Sequence, residues 1–594
     1  MPTKTSPTIA RLPQWNLKKL LANPEKDLEG ISQTLNTTIT SLEKLRPSLH
    51  NKTSPKSFAT GLQLTEDIAA LSSRVGAYSQ LWFAQNTTNQ KARAFEAKVK
   101  DRLAHFSNRV VFFDLWWQQL PHHTAQQLLT NTGSMRYHLA SLRRMKPHTL
   151  TEPEERIINI KNTTGRSAID SLYDVLTNRL TFTSPEKGAR TPVSREQLSV
   201  FFRHPSATMR KRAYQELLQV YSGHADILGE MYKTLVTDWK NEGIDLRHHA
   251  SPVAVRNIHN DIPNKAVETL LACCRNNRHI FHEYFRLKAK ICKINKLSRY
   301  DIYAPTKSAK TSYPFDQAKK LVFSAYEQFS PTLAKYAQQV FTDRHIDANP
   351  TPGKAGGAFC YSVLPTLTPY VLLNYTGDAR DVATLAHELG HAVHGMMAQH
   401  HSVFTFHSTL PLAETASVFG EQLLSHALLQ EVSSPRMKQR LLLGQLDDLY
   451  ATILRQAYFV EFENQAHEHI AQGATVNALA RTYLGLLKEQ FGRAVTVPDE
   501  FQWEWITIPH IYRSPFYCYA YSFGNLLVLA LYQRYQDEGQ SFIPKYLDLL
   551  SGGGSKSPQD LLKPLGVDMC AEKFWQSGFD RIETMVGELE NTLS

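Results

Sequence analysis

His387-Glu388-Leu389-Gly390-His391 places two imidazoles and a carboxylate at a spacing that binds and uses a metal ion. Residues four apart on an α-helix lie one above the other on the same face. Two histidines so placed can grip one Zn²⁺. The glutamate beside the first histidine then stands next to the metal and can act as a base toward water there. The flanking sequence reads as a helix from Asp381 to Met397. Val382, Leu385, Ala386, Leu389, Val393 and Met396 form an apolar stripe at helical spacing, and His387, His391 and His394 fall on roughly the opposite face. Asp381, after the turn-like Thr376-Gly377-Asp378, marks the expected helix start. His394 lies three residues past the second ligand and is expected to support the site rather than to ligate.

A catalytic zinc usually takes three protein ligands and leaves a position open. The stretch from Leu412 to Leu424 follows Pro411, which suits the first turn of a helix, so a second helix is expected there. Glu414 and Glu421 are seven residues apart and share a face with Ser417 and Val418. Two carboxylates among apolar neighbours need charge or hydrogen bonds to offset their burial. A metal and its histidines would supply both. Glu414 is therefore expected as the third ligand, and Glu421 as the group that orients a ligand histidine.

Further downstream, Pro509 to Ser522 is dense in hydrogen-bond donors that are neutral near pH 7: His510, Tyr512, Tyr517, Tyr519 and Tyr521. Attack of a metal-activated water on a carbonyl would generate an oxyanion, and such donors suit its stabilisation. Some of these rings also fit a packed aromatic helix face.

These motifs resemble a known family. His387-Glu-Leu-Gly-His-Ala-Val-His394, followed by Glu414-x-x-Ser417-x-x-x-Glu421, is similar to the thimet oligopeptidase family of zinc peptidases, family M3, in its oligoendopeptidase F branch. Gly356-Gly-Ala-Phe-Cys360 and Val371 to Gly377 look like that branch's strands before the zinc helix. Arg455-Gln456 with Phe459, Phe462 and Glu463 resembles its R-Q-x-x-F-x-x-F-E helix. Leu550 to Ser555, Leu565 to Asp568 and the region from Tyr137 to Leu180 are also similar. The likeness runs from about residue 130 and is most specific over 350–525.

The resemblance implies a mostly helical, two-lobed zincin-type metallopeptidase. A small β-sheet lies beside the zinc helix, and a deep internal channel admits short unfolded peptides. It implies an N-terminal helical domain over residues 1–195 and a catalytic domain over 196–594. It further implies one Zn²⁺ held by His387, His391 and Glu414, with Glu388 as base and His510 and Tyr519 as oxyanion donors. Tyr512, Tyr517, Gly356 and Gly357 would contact substrate, the peptide adding as a strand near Gly356–Cys360. The expected activity is cleavage of internal bonds in short peptides. Two other readings stay open. A carboxypeptidase or dipeptidyl carboxypeptidase would need a cationic clamp, for which Arg513 is a candidate. A non-catalytic peptide-binding protein is disfavoured by the intact Glu388.

Composition agrees with a large globular protein. The chain has 594 residues, 42% hydrophobic and 20% charged, with a net charge of +11. No basic run interleaved with aromatics points to nucleic acid. Met1 to Pro7 lacks the apolar run of a signal peptide, and Leu526–Leu531 is too short to span a membrane. Six scattered cysteines with no C-x-x-C pair read as reduced thiols in a cytoplasmic protein. Most of the chain has helical periodicity. A turn is expected over Thr183–Pro192, a capping box at Ser194–Gln197, a loop over Asp347–Gly357, and strands over Phe359–Val363 and Tyr370–Asn374.

Overall fold

The computed structural model describes residues 12–130, 132–186, 192–306, 312–432 and 434–593. Helices dominate, as the periodicity predicts, with only short strands between them. Among the described residues, no helix is long and apolar enough to cross a membrane. The elements that carry functional side chains are, in chain order, helix α1 (Pro252–Asn260), strands β1 (Ile346–Asp347), β2 (Phe359–Tyr361) and β3 (Tyr370–Leu372), and helices α2 (Ala379–Met397), α3 (Thr415–Glu431), α4 (Arg455–Ala471), α5 (Pro509–Arg513) and α6 (Tyr519–Glu538).

The chain forms two compact units, each assembled from three separate stretches: Met1–Lys146, Lys310–Leu428 and Glu538–Leu565 in the first, Pro147–Ala309, Leu429–Asp537 and Gly566–Ser594 in the second. The first unit contains β1–β3, α2 and α3. Its sheet has the order β1-β3-β2, with β1 parallel and β2 antiparallel to β3. The sequence signalled two strands; β1 escaped it because a two-residue strand has no readable period. The strands are also shorter than expected, ending at Tyr361 and Leu372. The central strand β3 is an unbroken apolar run, Tyr370-Val371-Leu372, fully buried as a strand covered on both faces must be. Trp15, Tyr78, Leu81 and Phe95 from the N-terminal segments pack into the same core as Tyr370 and Leu372. Strand β2 lies at the sheet's edge.

Helix α2 begins at Ala379, two residues before the expected start, because Asp378 and not Asp381 is its N-cap. Asp381 Oδ2 accepts the backbone N–H groups of Thr376, Gly377 and Asp378 at 2.7, 2.9 and 3.2 Å, and the Thr376 hydroxyl at 2.8 Å. One carboxylate thus satisfies several donors that the helix start leaves unpaired. Gly377 has φ +96, so the turn needs the residue without a Cβ.

The second unit contains α1 and α4–α6. Ion pairs Lys288–Asp447 and Arg299–Glu504 are buried in it at 2.5 Å each. Ser194 and Gln197 form the expected capping box. The turn expected over Thr183–Pro192 lies partly outside the described residues, at 187–191, as does the chain start at 1–11. Its flanks pair antiparallel, Phe182 with Val193.

His467 on α4 is 5% exposed, and burial pushes its imidazole down to about 3. The folded protein therefore holds His467 neutral where the unfolded chain, at about 6.5, already takes a proton. Stability is retained above that value and lost as pH falls from about 6.5 toward 3. The melting temperature should drop over this window, and His467→Phe should reduce the drop, as followed by circular dichroism across a pH series.

Candidate active site

Helix α2 brings His387 and His391 one turn apart, and the chain from Leu410 to α3 brings Glu414 to them. His387 Nε2 lies 3.2 Å from His391 Nε2 and 3.3 Å from Glu414 Oε2, and His391 Nε2 lies 3.5 Å from the same oxygen. These three atoms form a near-equilateral triangle. Ligands at about 2.0–2.2 Å from a tetrahedrally coordinated ion stand about 3.3–3.5 Å apart, so the donor set fits a metal ion without rearrangement. Among the described residues this is the one group of His, Cys, Asp or Glu with such convergence.

The approach depends on Gly390. A Cβ there would lie 2.5 Å from the Ala416 carbonyl oxygen and 2.5 Å from Ser417 Cα. Only glycine allows the backbone after Glu414 to cross α2 this closely. Glu414 is not inside a helix that continues to Glu421, as its spacing suggested. It is the C-cap of a short turn, Leu410–Ala413, and α3 starts at Thr415. The break turns its carboxylate toward the histidines.

Each ligand is oriented by a neighbour. His387 Nδ1 pairs with Glu421 Oε1 at 2.6 Å, which orients the ring so that Nε2 faces the other two donors. Ser417 Oγ donates to Glu414 Oε2 at 2.7 Å. His391 and His394 both hydrogen-bond the Ala413 backbone, tying the turn that carries Glu414 to α2. His394 is 7% exposed and is kept neutral, pushed down to about 4 by burial. Tyr326, which no sequence signal singled out, donates to the Ala386 carbonyl at 2.5 Å and packs against Gly420.

The electrostatics favour a cation. Burial opposes charge on His387, but its hydrogen bond to Glu421 and the charges of Glu421, Glu414 and Glu388 outweigh this and raise it to about 9. Burial lowers His391 to about 4 against the pull of Glu414. Burial also raises Glu388 to about 7, helped by Glu414 and Glu421 and opposed by His387. Glu388 is 5% exposed, and its Oε2 is buried with no hydrogen-bond partner in the protein. A buried carboxylate with an unpartnered oxygen, beside three converging donors, suits transfer of a proton. Cys360 on β2 feels the charge of Glu388, which adds to burial in raising its thiol. The edge strand therefore runs close to Glu388. Gly356 and Gly357 precede this strand, and Asn374 Nδ2 donates to the Gly357 carbonyl at 2.9 Å.

Glu421→Gln should keep the fold but weaken the tautomer preference of His387. Metal affinity or activity should fall by about 10–100-fold, measured by metal competition and by turnover at saturating metal.

The second unit gathers the His/Tyr stretch. The His510 ring lies 6.1 Å from Tyr517 and 6.0 Å from Tyr521, and these two tyrosines are 5.4 Å apart. Burial lowers His510, and Arg455 and Arg513 add to the effect, so the imidazole is a neutral donor near pH 7. Tyr519 and Tyr512 make other contacts. Tyr519 is fully buried with its hydroxyl accepting from Asn260 Nδ2 at 2.7 Å. Tyr512 stacks on Tyr173 at 4.1 Å and donates to the Leu228 carbonyl at 3.2 Å. Sequence spacing alone could not separate these faces, because α6 begins only at Tyr519 and Tyr517 precedes it.

An H-E-x-x-H helix and a converging carboxylate as third donor, set in a helical scaffold, define the chain as a metallopeptidase. The chain belongs to peptidase family M3: the model of that family matches residues 200–581, and one described as oligopeptidase F matches residues 116–182. Among curated relatives, the group B oligopeptidase PepB of Streptococcus agalactiae is 26% identical over 90% of each chain. An oligoendopeptidase F homolog of Borreliella burgdorferi is 26% identical over 94% of each. Among solved structures, the oligoendopeptidase-F of Enterococcus faecium has a TM-score of 0.73 at 21% identity, covering 96% of this chain and 99% of that one. A chain from Chlamydophila abortus reaches 0.83 at 24% identity, covering 99% of both.

Proposed function

We propose that the protein is a zinc-dependent oligoendopeptidase that hydrolyses internal bonds of short, unfolded peptides. The observation that carries this reading is the triangle of His387, His391 and Glu414 donors set beside the unpartnered carboxylate of Glu388. Two imidazoles and one carboxylate suit Zn²⁺. Bound there, the ion would supply the positive charge that acidifies water and polarises a carbonyl. The protein's own groups do the rest. Glu388 takes the proton of the attacking water and later delivers it to the leaving amine. His510 donates a hydrogen bond to the oxyanion, and a tyrosine of the same loop adds a second. Tyr517 and Tyr521 flank His510 and stand as candidates beside Tyr519, whose hydroxyl accepts from Asn260 Nδ2 and keeps its own proton to donate. The substrate backbone adds to the free edge of β2 as an extended strand, which explains why an edge strand lies beside Glu388.

The names of the curated relatives, oligopeptidase and oligoendopeptidase F homolog, support the same substrate class. The carboxypeptidase reading loses its clamp, because the Arg513 guanidinium is paired with Asp174. The discriminating experiment uses an internally quenched peptide blocked at both ends. The blocked peptide should be cut, chelator should abolish cutting, and stoichiometric Zn²⁺ should restore it. An untouched blocked peptide alongside a cleaved free one would mean exopeptidase action; turnover insensitive to chelator would end the metal reading.

A further inference from the structure

Between α5 and α6 the chain reverses at Phe516, a fully buried phenylalanine with φ +58. The other described non-glycine residues with positive φ, such as Asp261 and Lys293, follow helix ends, where left-handed caps are ordinary. A buried aromatic residue in that region is strained and persists only where its surroundings impose it. The imposing group is Glu463, whose Oε1 accepts the Phe516 N–H at 2.7 Å. One turn further along α4, the His467 ring packs on the Phe516 ring at 4.7 Å. From α1, Arg256 Nε donates to the Pro515 carbonyl at 3.0 Å, and Asn260 holds Tyr519.

Glu463 is otherwise hard to explain. It is fully buried, its Oε2 has no hydrogen-bond partner, and burial lifts its carboxyl to about 8. An apolar side chain would fill the space at less cost. What it does in the fold is set one backbone N–H. Along the chain that N–H lies between His510 and Tyr517, in the turn that joins the two halves of the donor cluster.

We propose that Glu463 is a positioning residue of the peptidase reaction, acting through the Phe516 N–H to hold the left-handed turn that aligns His510 with its tyrosines. This rests on the reading of the His510 loop as the oxyanion donor.

The test is steady-state cleavage of the blocked quenched peptide by zinc-loaded full-length protein, with melting temperature and zinc content measured for every variant. Glu463→Leu should lower kcat at least about ten-fold with KM nearly unchanged. Glu463→Gln keeps an acceptor oxygen and should restore most of that loss. Phe516→Gly takes the left-handed conformation without help, so E463L/F516G should match F516G in kcat. That last comparison decides the matter even if E463L alone does not fold. A ten-fold deficit of the double variant against F516G, or an E463L kcat within two-fold of wild type, would overturn the proposal. H510F separates the two layers. If H510F keeps wild-type kcat, the donor reading of the loop fails. If H510F is impaired and E463L is not, only the role of Glu463 fails.

Discussion

Glu388→Gln should lower kcat by about 10²–10⁴-fold while leaving metal content and melting temperature close to wild type. The amide has nearly the volume and shape of the carboxylate, so packing around this buried side chain is preserved. The candidate metal donors His387, His391 and Glu414 do not include Glu388, and the three lie 3.2–3.5 Å from one another. What the substitution removes is the ability to take up a proton. The Oε2 atom has no partner in the protein, so no existing hydrogen bond is broken at that oxygen. Metal analysis and turnover on the same preparation check this. A loss of metal equal to the loss of rate would show that Glu388 contributes to ion retention instead.

Gly390→Ala should be nearly as damaging, by a different route. The added methyl would stand 2.5 Å from both the Ala416 carbonyl oxygen and Ser417 Cα, which are backbone atoms and cannot swing aside as a side-chain tip would. Either α2 or the start of α3 must shift. Overpacking of this kind costs about 1–3 kcal/mol of stability. The larger effect is geometric, because Glu414 lies only two residues before Ala416 and moves with it. A displacement of about 1 Å at a reacting centre costs about 10²-fold, and metal affinity should fall in parallel. Ala in a helix interior is intrinsically favoured over Gly by about 1 kcal/mol, so a measured destabilisation would isolate the steric term. Unchanged metal affinity in Gly390→Ala would show that the helices tolerate wider separation.

The parts of the site legible in the sequence were those with a local period. His387, Glu388 and His391 sit on one helix, and Glu421 lies a readable seven residues beyond Glu414. The apolar stripe from Val382 to Met396 foretold which face of α2 is buried. Contacts between distant segments carried no such signal. Tyr326 reaches Ala386 from 60 positions away, and Asn260 reaches Tyr519 from 259. The break at Glu414 was hidden because a short turn and a continuing helix share the same composition. The tyrosine-rich stretch resists sorting for a related reason. Its residues alternate between a turn and a helix, so neither a period of two nor of 3.6 sorts Tyr517 and Tyr521 from Tyr512 and Tyr519.

All three metal donors belong to the first compact unit and come from one short stretch of chain, bound together further by the Ala413 backbone. An ion held by these donors would link parts of that unit. A ligand that binds only the folded form stabilises it by mass action. Each tenfold rise in free metal above the dissociation constant should therefore add about 1.4 kcal/mol to the first unit and nothing to the second. Scanning calorimetry at graded metal concentrations would then resolve two transitions, one sliding upward with the metal and one standing still. The heat resistance of half the molecule would become a gauge of metal supply.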